Sequence, residues 1–273
     1  MTAHVLERAG SRLHYWLAGP ERAPLVVFTH GASMDHGMFD EQVPAVVGAG
    51  YRVLTWDVRG HGRSKPLGDR PVSVRALAAD LLAVLDEIDR GEPVCLVGQS
   101  LGGYLAQDIV FTHPHRVAVL GIIGSTCATL PIPWWQRWSL AASPLMLRLW
   151  PDGDLRRRIA QRTAETSRAR EYALAATQRL TKDEFVAVWG AVAKAIHPEP
   201  GYRIEHPLLL CHGDRDRVGD VAETAPRWAA RDPRCRYEVV PNAGHNANQD
   251  NPEWFNQILM DFLAAHFPPG GAG

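Results

Sequence analysis

Within the 273-residue chain, the segment best suited to covalent chemistry is Gly98-Gln99-Ser100-Leu101-Gly102. It follows the apolar run at residues 94–97 and opens the helical pattern Leu101–Thr112. A strand that enters a helix through so short a turn holds the central residue in a strained conformation and leaves its neighbours little room. Gly98 and Gly102 meet that demand, and Gly103 lets the helix pack closely. The turn lifts the Ser100 hydroxyl above the strand end, at the positive pole of the helix. A hydroxyl held there is a candidate nucleophile for a carbonyl carbon.

Serine is weakly nucleophilic near neutral pH and needs a base within hydrogen-bond reach. Of twelve histidines, His245 is the best candidate. It ends Asn242-Ala243-Gly244-His245, after the apolar run 237–240 and before the final helical pattern, so it falls on a loop at a strand's carboxyl end. His61, in Arg59-Gly60-His61-Gly62, lies on a loop at the same edge and is its rival, although its segment reads as a structural turn. A base needs a carboxylate to fix its tautomer and stabilise its charged form. Gly213-Asp214-Arg215-Asp216 offers two. Asp216 lies farther from the strand and has room to turn inward, whereas Asp214 is placed to tie up the turn or pair with an arginine. An oxyanion needs two preorganised donors, each typically worth ~10²–10³ in rate. The Leu101 amide is one, and Ala32 in His30-Gly31-Ala32-Ser33 is the candidate for the other. Ser33 either adds its hydroxyl to the substrate site or is a local turn residue; His30 is expected to brace the loop.

These side chains need a frame. Residues 5–8 and 13–18, separated by Gly10-Ser11, form a hairpin pattern. Leu25–Thr29, Arg52–Trp56, residues 94–97, Val117–Ile123 and residues 208–211 are continuous runs of apolar residues. Unbroken runs, rather than alternating ones, mark strands covered on both faces, hence a parallel sheet. Helices alternate with them: Ser73 caps a helix with the stripe Val74, Leu77, Leu81, Leu85 and Ile88, stopped by Gly91. Asn251 and Pro252 start another with Phe255, Ile258, Leu259, Phe262 and Leu263. The alternation predicts a doubly wound α/β fold. From about 128 to 203 no strand pattern occurs, and the sequence reads as helical, with Trp134, Trp135, Trp138, Trp150 and the run Arg156-Arg157-Arg158. A helical insertion of that length is expected to cover the sheet's carboxyl edge, dividing the chain into a core of residues 1–127 and 204–273 and a cap of residues 128–203. The tail at 268–273 is low in complexity.

Composition narrows the partners. Hydrophobic residues make up 46% and charged residues 22%, with a formal charge of −1, so no basic surplus points to nucleic acid or an anionic membrane. A small-molecule substrate is expected; the oligomeric state is not specified by the sequence. Residues 1–10 do not read as a signal peptide, and no apolar run approaches the ~18 residues of a membrane span. The cysteines, Cys95, Cys127, Cys211 and Cys235, show neither CxxC spacing nor a zinc-like cluster. Free thiols in a cytoplasmic protein are expected.

Taken together, the elbow at Ser100, the acidic loop and His245 resemble the α/β-hydrolase superfamily, whose chain order is serine, then acid, then histidine. Asp57-Val58-Arg59-Gly60-His61-Gly62-Arg63-Ser64 also resembles the turn after that family's fourth strand. The resemblance covers nearly the whole chain. It implies a mostly parallel eight-stranded sheet flanked by helices, a helical cap after the sixth strand, and neither metal nor organic cofactor. Family spacing favours Asp216 over Asp214 as the acid. A serine nucleophile implies an esterase or lactonase acting on a small, apolar carboxylic ester, with Trp134, Trp135 and Trp138 either lining the pocket or joining cap to core. Relatives of this kind also include carbon–carbon hydrolases of vinylogous diketones, cofactor-free perhydrolases and weakly catalytic ligand receptors.

Overall fold

The apolar runs become strands buried on both sides. In the computed structural model, which describes residues 1–88 and 91–270, β1 (Thr2–Arg8) and β2 (Ser11–Ala18) form the hairpin. β3 (Leu25–Thr29) and β4 (Arg52–Trp56) flank α1 (Gln42–Gly48); α2 (Val74–Glu87) leads to β5 (Val94–Gln99), α3 (Leu101–Thr112) and β6 (Val117–Ile123). Four helices follow: α4 (Trp134–Leu149), α5 (Asp152–Thr163), α6 (Ser167–Gln178) and α7 (Lys182–Ala193). The chain then returns through β7 (Leu208–Gly213), α8 (Val221–Arg231), β8 (Cys235–Val240), the short α9 (Ala247–Asp250) and α10 (Pro252–His266). The low-complexity tail ends outside the described residues, which stop at 270.

The eight strands form one sheet in the order β1-β2-β4-β3-β5-β6-β7-β8, with β2 antiparallel to both its neighbours, β1 and β4, and every other pair parallel. Alternate residues of each strand feed opposite cores. Val27, Leu96, Leu120, Leu208 and Leu210 pack with α2, α3 and α8; Val26, Phe28, Cys95, Val97, Leu209 and Cys211 pack with α10. Ser73 caps α2 by accepting the Ala76 N–H at 3.1 Å, and Asn251 caps α10 by accepting from Trp254 at 3.3 Å.

The strand order creates the site. After β3 the chain forms β4 on one side, then crosses to place β5 on the other side of β3. The loops leaving β3 and β5 therefore diverge at their carboxyl ends, which is where ligands bind in open α/β sheets. Those loops carry His30-Gly31-Ala32-Ser33 and Ser100.

Candidate active site

Ser100 stands between β5 and α3 with φ 49° and ψ −108°, a positive-φ conformation that costs a non-glycine residue roughly 1–3 kcal/mol. The turn is held from both sides: Ser100 N–H donates to the Ile123 carbonyl at 2.8 Å, and the Ser100 carbonyl accepts from Ser125 Oγ and from Tyr104 N–H. Glycine is obligatory around it. A Cβ on Gly98 would lie 2.2 Å from the Gly102 carbonyl, and one on Gly102 would lie 2.1 Å from the Thr29 oxygen. On Gly103 it would sit 2.3 Å from Ser125 Oγ.

His245 and Asp216 arrive on neighbouring loops beyond β8 and β7. His245 Nδ1 lies 2.9 Å from Asp216 Oδ2, with the two side chains 6% and 0% exposed. Burial pushes the Asp216 carboxyl up, but the adjacent imidazole and the Val218 N–H, 2.9 Å from Oδ1, hold it below the usual carboxylate range overall. An ionised carboxylate only accepts, so Nδ1 carries the proton and Nε2 is left as the basic nitrogen. The ring rests on Gly124, where an added Cβ would come within 3.1 Å of Nδ1. Gln99 ties the His245 loop to the elbow by donating Nε2–H to the His245 carbonyl at 3.1 Å. Asp250 fixes the same loop from the other side: it accepts Gly244 N–H, and also Glu165 N–H, Thr166 N–H and the Thr166 hydroxyl.

The two rivals sit elsewhere. Asp214 is exposed and accepts the Ala243 N–H at 3.0 Å, tying up the turn. His61 is fully buried 5.0 Å from the His30 ring, outside the cavity that Ser100 and His245 share, and burial lowers its pKa to about 3.

The amide donors are framed rather than free to wander. Leu101 is the first residue of α3, so its N–H has no acceptor within the helix. Ala32 lies in a turn closed by Met34 N–H to the Gly31 carbonyl at 3.1 Å. His30 braces that turn: its Nε2 accepts the Val58 N–H at 2.9 Å, which leaves Nδ1–H to donate to the Gly31 carbonyl at 2.8 Å. Ser33, with φ 71°, is 2% exposed, and its hydroxyl finds no partner among the described residues.

A cavity of about 290 Å³ joins these groups. Ala32, Ser33, Gln99, Ser100 and His245 form its floor; Leu147, Trp150, Leu155, Ile159, Phe185 and Trp189, from the helices between β6 and β7, form apolar walls. The expectation for three tryptophans is corrected here. Trp134, Trp135 and Trp138 are 75%, 60% and 72% exposed and do not line the cavity. They occupy the outer side of α4, whereas Leu147 faces inward. Trp150 and Trp189 take the expected place. Sequence reasoning also passed over Gln99, Gly124, Asp250, Phe185, Arg158 and Arg162. Phe185 and Trp189 are detectable as an i, i+4 aromatic pair, and the two arginines share that spacing.

Among the described residues, no group of three His, Cys, Asp or Glu side chains is arranged to hold a metal ion, and no helix is long and apolar enough to cross a membrane.

This sheet, with an elbow serine after its fifth strand and a histidine loop after its last, defines an α/β-hydrolase. The chain belongs to the serine aminopeptidase S33 family of that superfamily, whose sequence model matches residues 20–251. It is 28% identical over 274 aligned residues to 3-oxoadipate enol-lactonase 1 of Acinetobacter baylyi, covering 95% of this chain and 96% of that one. Its fold matches a thermophilic esterase from Thermogutta terrifontis with a TM-score of 0.83 at 20% identity, over 97% of this chain and 100% of the esterase. It also matches the enol-lactonase of Burkholderia xenovorans, with a TM-score of 0.81 at 22% identity, over 96% and 100% of the two chains.

Proposed function

We propose that the protein hydrolyses a small, largely apolar carboxylic ester or lactone through an acyl-enzyme on Ser100. The observation that carries this reading is the buried His245–Asp216 pair, whose imidazole lines the same cavity as a serine on a strained, glycine-enforced turn. Ser100 Oγ adds to the carbonyl carbon while His245 Nε2 takes its proton. The oxygen that becomes negative is stabilised by the Leu101 and Ala32 amides. Collapse breaks the bond to the alkoxide, which takes the proton back from His245; in a lactone it stays attached at the far end of the acyl chain. Water then gives a proton to His245, adds to the acyl carbon, and releases the acid with Ser100 restored. The Ser33 hydroxyl serves as a substrate contact.

Two features support the choice of substrate. The cavity lies at the small end of the range for small-molecule sites, and its upper walls are aliphatic and aromatic. The full-length likeness to an enol-lactonase agrees with a lactone or ester bond. Residues 128–203 act as the cap. Its two stems run side by side, with His197 N–H donating to the Ala128 carbonyl at 2.8 Å and Glu199 N–H to the Thr129 carbonyl at 2.9 Å. The four cysteines are free thiols, which suits the reducing cytoplasm.

A series of chromogenic esters of increasing acyl length, with a lactone beside them, tests the reading on wild type and Ser100→Ala. Short and medium chains should be turned over, with a loss of several orders of magnitude in the variant. Equal rates in the two proteins would refute it.

A further inference from the structure

The cavity has a feature that cleaving a neutral ester leaves unused. His245 aside, its charged lining consists of Arg158 and Arg162, with no Asp or Glu beside them. Leu155, Arg158, Ile159 and Arg162 stand at positions i, i+3, i+4 and i+7 of α5, so a single helical face gives the cavity two aliphatic side chains and two guanidiniums. The neighbouring arginines are neutralised locally: Arg156 pairs with Asp152 and Arg157 with Asp154. Arg158 and Arg162 have no carboxylate partner among the described residues. Arg158 lies over the Trp150 ring at 5.6 Å, and Arg162 donates to the Arg217 carbonyl. Those contacts orient the guanidiniums without cancelling their charge, and most of their donors stay available. In a chain with one more acid than base, two uncompensated cations at the rim of the reaction cavity form a local field that attracts anions.

We infer that Arg158 and Arg162 form an anion subsite, and that the ester or lactone cleaved here carries a carboxylate. The inference rests on the reading of Ser100 as nucleophile and adds the charge of its substrate. The planar guanidinium fork matches a carboxylate's two oxygens. Both arginines are exposed, so the charged end keeps part of its hydration at the rim while the apolar part enters between α4, α5 and α7. The carboxylate belongs either to the acyl half or to the alcohol half.

Two matched pairs of substrates test this on the full chain. One compares 4-nitrophenyl hydrogen glutarate with 4-nitrophenyl pentanoate; the other compares 4-acetoxybenzoate with phenyl acetate. Wild type should favour the charged member of one pair by about tenfold in kcat/KM, mostly through KM, and added salt should erode the preference. Arg158→Glu combined with Arg162→Glu should invert it, a result that partial misfolding does not give. No preference in either pair, or a preference unmoved by charge reversal, overturns the subsite. If neutral esters turn over in a Ser100-dependent way without discrimination by charge, only the subsite falls. If no ester in either pair is cleaved, the ester-cleaving reading falls with it.

Discussion

Replacing Asp216 by Asn isolates the electrostatic part of the proposed mechanism. Wild type keeps a carboxylate 2.9 Å from His245 Nδ1, and the two side chains are 0% and 6% exposed, so solvent screens the pair little. When His245 takes the serine proton, the imidazolium and carboxylate charge centres are ~4 Å apart. At an effective dielectric near 20 this attraction is about 4 kcal/mol. Converted at 1.36 kcal/mol per decade, it corresponds to about three orders of magnitude in kcat. The amide also reverses the hydrogen bond: its NH₂ offers a donor to Nδ1 and favours the tautomer with the proton on Nε2, which cannot accept from Ser100. Asp214→Asn is the matched control, because that exposed side chain accepts backbone N–H groups of the 242–243 turn and does not touch His245; about tenfold or less is expected. Steady-state hydrolysis of a short-chain chromogenic ester reads both, with circular dichroism to verify folding. A smaller loss in Asp216→Asn than in Asp214→Asn, or less than tenfold in the former, would refute the assignment.

Other perturbations follow from the same geometry. Gly98→Ala puts a carbon 2.2 Å from the Gly102 carbonyl and should cost at least ~3 kcal/mol or abolish folding, read by urea unfolding. Gly124→Ala, at φ 60° and 3.1 Å from His245 Nδ1, should displace the ring and lower kcat roughly tenfold to a hundredfold with a milder stability loss; an unchanged kcat counts against the seat described for the imidazole. Burial holds His61 at about 3, whereas an unperturbed imidazole titrates at 6.5, so unfolding takes up a proton between those values and stability falls as the pH drops through that window. His61→Asn should flatten the acid side of the Tm–pH curve, and parallel curves would contradict this. Asp80→Ala strands Arg59, which is 1% exposed and 2.8 Å from Asp80 Oδ2, and should cost ~3–5 kcal/mol in chemical denaturation; a cost below about 1 kcal/mol would contradict the pairing.

The sheet was legible because its inner strands are apolar on both faces: β3, β4 and β6 have the bounds expected from their runs of Val, Leu and Ile. β8 was harder to delimit, since Cys235, Arg236 and Glu238 leave its first half partly exposed at the sheet edge and without an apolar run. The elbow could be read because only glycine fits beside Ser100. Asp250 and Gln99 could not, because their work is to hold backbone donors and carbonyls from distant loops, and no local pattern records such pairings. The tryptophans of α4 misled for a similar reason. α4 is apolar on two sides, Trp134 and Trp138 on one and Leu140 and Leu147 on the other, so richness in tryptophan says nothing about which side meets the sheet. The phase of that helix is set by tertiary packing, which the period of 3.6 does not contain.

The four donors gathered by Asp250 have a further consequence for anyone who would refit this enzyme. The carboxylate that steadies the histidine loop is the same one that fastens the Glu165-Thr166 corner of the roof. Transplanting the whole span between β6 and β7 from a relative would therefore cut a mooring of the His245 loop along with the cavity's apolar walls. A graft that keeps residues 163–166 and exchanges only the rest would retarget the pocket while leaving the histidine loop anchored.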